Sequence, residues 1–311
     1  MTRLISFLAH AVYMGTPLLF GTVGEIQNEK AGHLNLGVEG TMAMGACAGF
    51  MVAYKTGSLW LSILAAFLMG ALVSLIYAFL TITMMANQNV TGLTLTIFGT
   101  GLSNFIGEQM ISASPTGNLK LPDGVMSSLK NIDIPLLSKI PVLGEVLFSQ
   151  NIFTYLSIVI AVIMFIYLKK TKVGLNLRTI GENPAVADAV GISVVKYKYI
   201  NVLIGGGICG IGGAFCSMVI NGGVWMANSV NGLGWIAVAL VIFAVWNPAR
   251  AIYGAYIFGA FMVLKYYFPK NLGFTVPESF FDMLPYLVTA LVLIITSVKN
   301  QESVHSHNPA V

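Results

Sequence analysis

Charge is what this chain of 311 residues has least of. Asp, Glu, Lys and Arg together make up 9% of it, where a soluble domain carries about 25%. That excludes an ordinary water-soluble globule. The 56% hydrophobic content excludes disorder too, which needs low hydrophobicity and high charge. Cysteine is scarce: Cys47, Cys209 and Cys216 form no CxxC pair and all lie in apolar stretches, so neither a disulfide framework nor a zinc site is expected. No GxxxxGK[ST] phosphate loop occurs, nor any nucleophile–base arrangement or pair of catalytic carboxylates. The net charge of +4 is scattered and gives no stripe for nucleic acid. His305 and His307, in the polar tail HSHNPAV, read as tail residues and not as metal ligands. No enzyme, cofactor or metal chemistry is expected of this chain.

What is present is apolar sequence over most of the length, with a mean hydropathy of +0.81. A membrane span needs about 20 mostly apolar residues. Nine stretches qualify: 5–26, 37–54, 58–85, 91–110, 150–169, 197–217, 233–247, 251–268 and 282–298. The expected fold is therefore all-α, a polytopic integral membrane protein of about nine helices (eight to ten) in a single domain over 1–311. The first stretch follows Arg3 as a signal peptide would, but no A-x-A-like site interrupts it, so it reads as a retained helix. The fourth is soft, carrying Gly92, Gly99, Gly101, Asn104 and Gly107. Backbone amides in hydrocarbon must be satisfied internally, so that stretch is expected to be packed among helices or broken and re-entrant.

Two segments are polar. Residues 111–149 contain four prolines and six charges, and read as a loop with at best short helices. Residues 169–198 hold Lys169, Lys170, Lys172, Arg178, Lys196 and Lys198, six of the chain's 16 basic residues, which places this loop in the cytoplasm. Counting spans from there puts 27–36, 86–90, 248–250 and the C-terminus inside, and the N-terminus and 111–149 outside. Within the cytoplasmic loop, Asn183 is a favoured N-cap, Pro184 suits the first helical position and Gly191 the residue past the end. A helix over 184–190 follows, with Val186 and Val190 on one face. Glu182 and Asp188 supply charge near its start, and Ser193 caps the segment leading into the next span. A short capped helix between two spans suits a knob inserted into a soluble partner, or simply closes a long loop.

Small residues recur at helix-packing spacing: Gly37, Thr41, Gly45 and Gly49; Gly206 and Gly210; Ala251, Ala255 and Gly259. Lipid supplies no hydrophobic drive between helices, so close approach through small residues makes the contact, inside the subunit or between subunits. Glu25, Glu29 and Glu39 lie toward the cytoplasmic ends of the first two spans. They read as capping groups or partners of Lys30 and His33, or as gating groups and contacts to a soluble partner. Asn87, Gln88, Asn89, Thr91, Thr94, Thr96 and Asn104, with Glu108 beyond, form a mostly uncharged polar stretch. They suit a pathway for a neutral polar solute, or hydrogen bonding between helices.

GENPAVADAVGI (181–192) resembles the cytoplasmic coupling segment of permease subunits of ATP-binding-cassette importers, in the superfamily that handles branched-chain amino acids, ribose-type sugars and nucleosides. NEKAGHLNLGVEGTMAMGA (28–46) is similar to a second motif of that superfamily. Its NLGVEG form, after TPLLFGTVGE (16–25), looks most like the nucleoside branch served by a basic membrane lipoprotein. The resemblance implies a type II importer-like permease fold in the cell membrane. It also implies a second, commonly different, permease, a cytoplasmic ATP-binding subunit and an extracytoplasmic substrate-binding lipoprotein. Arg178, Gly181, Glu182, Asn183, Pro184, Ala185, Val186, Ala187, Asp188, Val190 and Gly191 would then form the ATPase-coupling segment. Val186, Ala187 and Val190 would be buried at the docked face, and Asn35, Gly37, Glu39 and Gly40 would carry the early motif. Asn87, Thr91, Thr94, Asn104 and Glu108 are the pathway candidates. The implied cargo is a small polar solute, a nucleoside first and a simple sugar second. An ion-driven transporter fits less well, because such proteins place ionisable groups at the bilayer midplane, and the centres of spans two, three, five, six and seven carry none.

Overall fold

Side-chain caps set many of the helix starts. The Asn87 carboxamide accepts from the backbone N–H groups of Asn89 and Val90, Asn151 from Phe153, Thr171 from Gly174 and Asn183 from Val186, each satisfying donors that the helix leaves free. The computed structural model describes residues 2–133, 143–267 and, further on, 277, 280, 281, 283–291 and 294. Its helices are α1 (Thr2–Lys30), α2 (Val38–Thr56), α3 (Leu59–Ala78, continued by a π-turn over Phe79–Thr83) and α4 (Gln88–Ala113). There follow α5 (Asp123–Ser128), α6 (Leu143–Leu147), α7 (Ile152–Lys170), α8 (Lys172–Glu182) and α9 (Pro184–Ala189). The last are α10 (Val194–Phe215, with a π-turn over Cys216–Ile220), α11 (Leu233–Phe243) and α12 (Pro248–Tyr267). Two short strands, β1 (Ile132–Asp133) and β2 (Ser149–Gln150), pair antiparallel in the loop before α7. Positions 134–142, most of the stretch 282–298 and the histidine tail lie outside the described residues.

Among the described residues four helical segments are long and apolar enough to cross a bilayer: Arg3–Lys30, Leu59–Thr83, Ile152–Lys170 and Val194–Ile220. One of the nine expected spans differs in kind, and the fourth takes the packed form of its two expected alternatives. The soft stretch 91–110 is not broken: α4 runs unbroken for 26 residues. Its glycines serve approach, since a Cβ on Gly99 would lie 2.6 Å from the Gly40 carbonyl oxygen and one on Gly92 2.7 Å from the Leu36 nitrogen. The stretch 233–247 is not a span. α11 has 11 residues, about 16 Å at 1.5 Å per residue, half of a hydrocarbon core of about 30 Å. The break lies in the non-helical segment 221–232 ahead of it.

α10 stands at the centre, packed against α1, α2 and α3, and glycine makes that possible. A Cβ on Gly45 of α2 would lie 2.3 Å from the Gly210 carbonyl oxygen, and one on Gly70 of α3 2.2 Å from that of Gly206. A Cβ on Gly259 of α12 would lie 2.2 Å from the Ala11 carbonyl oxygen of α1. The small-residue faces therefore pack inside the subunit. Leu64, Leu68, Leu72 and Leu75 of α3, by contrast, are exposed along one stripe, which suits lipid or another apolar surface.

Contacts sort the connections into two ends. At one, α8 sits against the end of α1, where a Cβ on Gly181 would lie 2.4 Å from the Lys30 carbonyl oxygen. Gln88 at the start of α4 bonds to Leu34 and Gly32 at the same end. At the other end, Trp225 donates its backbone N–H to Leu119, and Gln150 reaches Ala9 in α1.

The turn 31–37 between α1 and α2 is tied back to α1. The buried Glu25 carboxylate accepts from the Asn35 backbone N–H at 2.7 Å and from Asn28 Nδ2 at 2.8 Å. His33 in this turn is 2% exposed, packs edge-on to Tyr77, and has no partner in the protein for either ring nitrogen. Burial, with the Lys198 charge nearby, pushes its imidazole down to about 4. The folded chain thus favours the neutral ring, whereas the unfolded chain protonates it near pH 6.5. This contribution is complete above pH 6.5 and declines as the pH falls toward 4, by up to about 3 kcal/mol. His33→Phe is expected to flatten the acid limb of thermal stability in detergent between pH 7 and 5. An unchanged acid limb would assign that pH dependence to another group.

Candidate functional site

The broken segment and α11 build the site. Residues 221–232 leave the end of α10 without forming a helix. Asn228, Asn231 and Gly232 all take left-handed backbone, with φ of 54°, 49° and 86°. Glycine adopts that conformation freely and asparagine more readily than most residues. α11 begins directly after, and its first free N–H groups point at Glu39 near the start of α2. Glu39 Oε1 accepts from the Gly232 N–H at 2.8 Å and Oε2 from the Gly234 N–H at 2.7 Å. A carboxylate here meets both the unsatisfied donors and the positive end of the helix dipole. Position 234 has to be glycine for this approach, since a Cβ there would lie 2.5 Å from the Glu39 Cα.

Beside this cap lies a cavity of about 220 Å³ lined by Glu39, Ala43, Thr100, Ser103, Asn104 and residues 228–232. It lies partway along α4, some 12 to 16 residues from that helix's start. Asn104 and Asn228 interlock across it: Asn104 Nδ2 donates to Asn228 Oδ1 at 2.8 Å, and the Asn228 backbone N–H donates to Asn104 Oδ1 at 2.9 Å. Ser103 turns its hydroxyl to the Ala43 carbonyl. Apart from Glu39, committed to α11, every polar group here is an amide, hydroxyl or backbone group. The arrangement offers exchangeable hydrogen bonds to a neutral solute and no unpaired charge to trap it.

Of the pathway candidates, Asn104 lines this cavity. Glu108 lies one turn further along α4 on an exposed face. Asn87 caps the far end of α4, and the Thr91 and Thr94 hydroxyls donate to the carbonyls of Asn87 and Val90, both at 2.8 Å. In the early motif, Asn35 Oδ1 accepts from the Gly37 N–H at 2.9 Å, and a Cβ on Gly40 would lie 2.2 Å from the Leu95 carbonyl oxygen. Of the expected roles of Glu39, capping is the one the geometry shows, with α11 as the capped helix, and neither Lys30 nor His33 is its partner. Thr100, Asn228, Ser229 and Asn231 were absent from the sequence-based candidates. For the last three the signal is the polar, glycine-bearing run NGGVWMANSVNG (221–232) between two apolar stretches, whereas Thr100, like Ser103, lies within the stretch 91–110.

A second cluster lies at the α8–α9 end. Asn183 caps α9, Pro184 occupies its first turn, and Gly191 follows it at φ 82°. Ser193 precedes α10 but makes no side-chain cap bond. Val186 and Val190 are 51% and 69% exposed, but Ala187 is completely buried, so its methyl packs inside this chain and is no part of an outer face. Ala185, Asp188 and Glu182 are exposed. Arg178 and Gly181 line a cavity of about 320 Å³ with Glu29, Lys30, Glu182 and Trp246.

Residues 7–295 match the family model described as branched-chain amino acid transport system / permease component. The chain is 33% identical to the nucleoside ABC transporter permease protein NupC of Lactococcus lactis subsp. cremoris, over 93% of this chain and 91% of that one. It is likewise 33% identical to the guanosine ABC transporter permease protein NupQ of Bacillus subtilis, over 94% and 92%. It is 37% identical to the putative glucose ABC transporter permease protein TsgC13 of Haloferax volcanii, over 82% and 75%. The chain belongs to this permease family.

Proposed function

We propose that this member of the permease family is the membrane subunit of an ATP-driven importer whose cargo is a nucleoside. The observation that carries the reading is the cavity at the start of α11, in which the lone carboxylate is engaged by α11 and the remaining polar groups are neutral. Ribose hydroxyls and base edges match such groups, and the relatives named for nucleosides and guanosine align over nearly the whole chain. The relative named for glucose favours a simple sugar as the second reading, since sugar hydroxyls suit the same lining.

In this reading the α8–α9 end, with its lysines, faces the cytoplasm of the cell that carries the protein in its plasma or inner membrane. The α5–α6 end faces outward toward a substrate-binding lipoprotein. The exposed valines of α9 dock on an ATP-binding subunit, and a second permease completes the pathway beside the cavity. Lipid covers the leucine stripe of α3. The reading involves no nucleic acid and no cofactor on this chain.

The test is uptake by proteoliposomes holding both permeases, the ATP-binding subunit and the lipoprotein. Guanosine uptake is expected to require ATP and to exceed glucose uptake at least tenfold. Accumulation by this chain alone under an ion gradient would overturn the ATP-driven reading, and preference for glucose would replace the cargo.

A further inference from the structure

α11 is the one helix among the described residues gripped at both ends by carboxylates from other helices. Its start is held by Glu39 of α2 through the Gly232 and Gly234 N–H groups. Just past its other end, the indole Nε1–H of Trp246 donates to Glu29 Oε2 on α1. Between the two, Thr22 of α1 donates its hydroxyl to the Ala237 carbonyl at 3.1 Å. Glu29 adjoins Lys30, whose carbonyl is covered by Gly181 of α8. An unbroken series of contacts therefore runs from the α8–α9 corner through the end of α1 and along α11 to the cavity.

The backbone on either side of α11 is unusual. Val245 and Trp246 have φ of 50° and 51°, a left-handed conformation that is unfavourable for any residue with a Cβ and most of all for a β-branched one. Such backbone persists where its surroundings hold it, and it concentrates at functional sites. Here the Trp246 indole bond to Glu29 is a tertiary contact at this backbone, together with the local backbone bonds Val245 N–H to Ile242 and Trp246 N–H to Val241. With Asn228, Asn231 and Gly232 left-handed ahead of α11, an 11-residue helix lies between two turns of left-handed backbone.

We propose that α11 is the strut that carries movement between the α8–α9 corner and the cavity at its start, with Glu29 and Trp246 as positioning residues at one end and Glu39 at the other. The inference rests on the ATP-driven reading above. Adjacency alone does not establish coupling; what qualifies α11 is that it is a single short helix between two left-handed turns, with a specific grip at each end. When the corner shifts, Glu29 draws Trp246 and α11 with it. Because Glu39 holds the far end of α11, the cavity wall at 228–232 moves too.

The experiment is guanosine transported per ATP hydrolysed by the complete complex in proteoliposomes, with assembly measured for each variant. Trp246→Phe keeps the ring and removes the N–H. It is expected to leave ATP hydrolysis within about threefold and to lower guanosine per ATP at least tenfold. Glu29→Gln retains an oxygen acceptor for the indole and is expected to stay within threefold of the parent ratio, whereas Glu29→Leu is expected to behave as Trp246→Phe. A purely structural role would lower assembly, transport and hydrolysis together and leave their ratio unchanged. A parent ratio in an assembled Trp246→Phe complex overturns the inference and leaves the importer reading standing. If that variant does not assemble, equal ratios for Glu29→Gln and Glu29→Leu overturn it instead. Uptake by the parent complex without ATP overturns both.

Discussion

Gly213→Val is expected to leave almost no protein in the membrane. A Cβ at Gly213 would lie 1.8 Å from the Met42 carbonyl oxygen and 2.9 Å from the Ala46 nitrogen. Both are backbone atoms of α2, so no side chain can rotate out of the way, and α10 would have to move off α2. That separation would also break the approach of Gly45 to Gly210. The cost exceeds about 4 kcal/mol, within the range that only core disruption reaches. The matched control is Gly101→Ala, at an exposed position of α4 with nothing within 4 Å of the added methyl. It is expected to accumulate as the parent does, or slightly better, because alanine favours helix by about 1 kcal/mol. Membrane levels of tagged variants decide the matter, and parent-like levels of Gly213→Val would refute the close packing of α2 on α10.

Val186→Asp combined with Val190→Asp is expected to abolish ATP-dependent uptake while leaving the permease folded. Both side chains are more than half exposed, so the folded chain tolerates the charge. At a docked, desolvated interface the same charges have no partner and are costly. Loss of a hundredfold in affinity for the ATP-binding subunit corresponds to about 2.7 kcal/mol. Asp188→Asn is expected to have a mild effect, because exposed charges contribute little. Ala187→Glu, which the sequence alone would nominate as the interface test, fails differently: the methyl is buried within the α8–α9 corner, so its charge damages the chain itself. Co-purification of the ATP-binding subunit, with membrane levels followed in parallel, separates the two effects. Unaltered co-purification of the double valine variant would remove α9 from the docking surface.

The α9 corner shows where sequence reading stops. Asn183, Pro184 and Gly191 act locally, through caps and a left-handed turn, and their roles are visible in the order of residues. Whether Ala187 faces outward or inward depends on how α8 and α10 fold back against α9, which the order of residues leaves open. The amphipathic helix α8, with Gly174, Leu177 and Ile180 buried, lies in a run whose lysines and coupling residues stand out in the sequence while its apolar face does not. Asn104 could be picked out as a polar residue in an apolar stretch, but its partner Asn228 lies 124 positions away, and nothing local joins them.

The sequence by itself determined the class of the protein. Scarce charge, long apolar stretches and small residues at helical spacing specify packed membrane helices, because composition and periodicity are properties of consecutive residues. Only the tertiary structure decided which glycine-bearing segment is broken. In α4, Gly92 and Gly99 are consumed by close contact with the turn before α2 and with α2 itself, and the helix continues. In 221–232 the chain leaves the helical path and hands the free N–H groups of α11 to Glu39. Glycine permits both outcomes equally. The choice rests on what the rest of the fold brings alongside: for α4 a backbone close enough to fill the missing side chain, for α11 a carboxylate placed to cap a helix that starts inside the bundle.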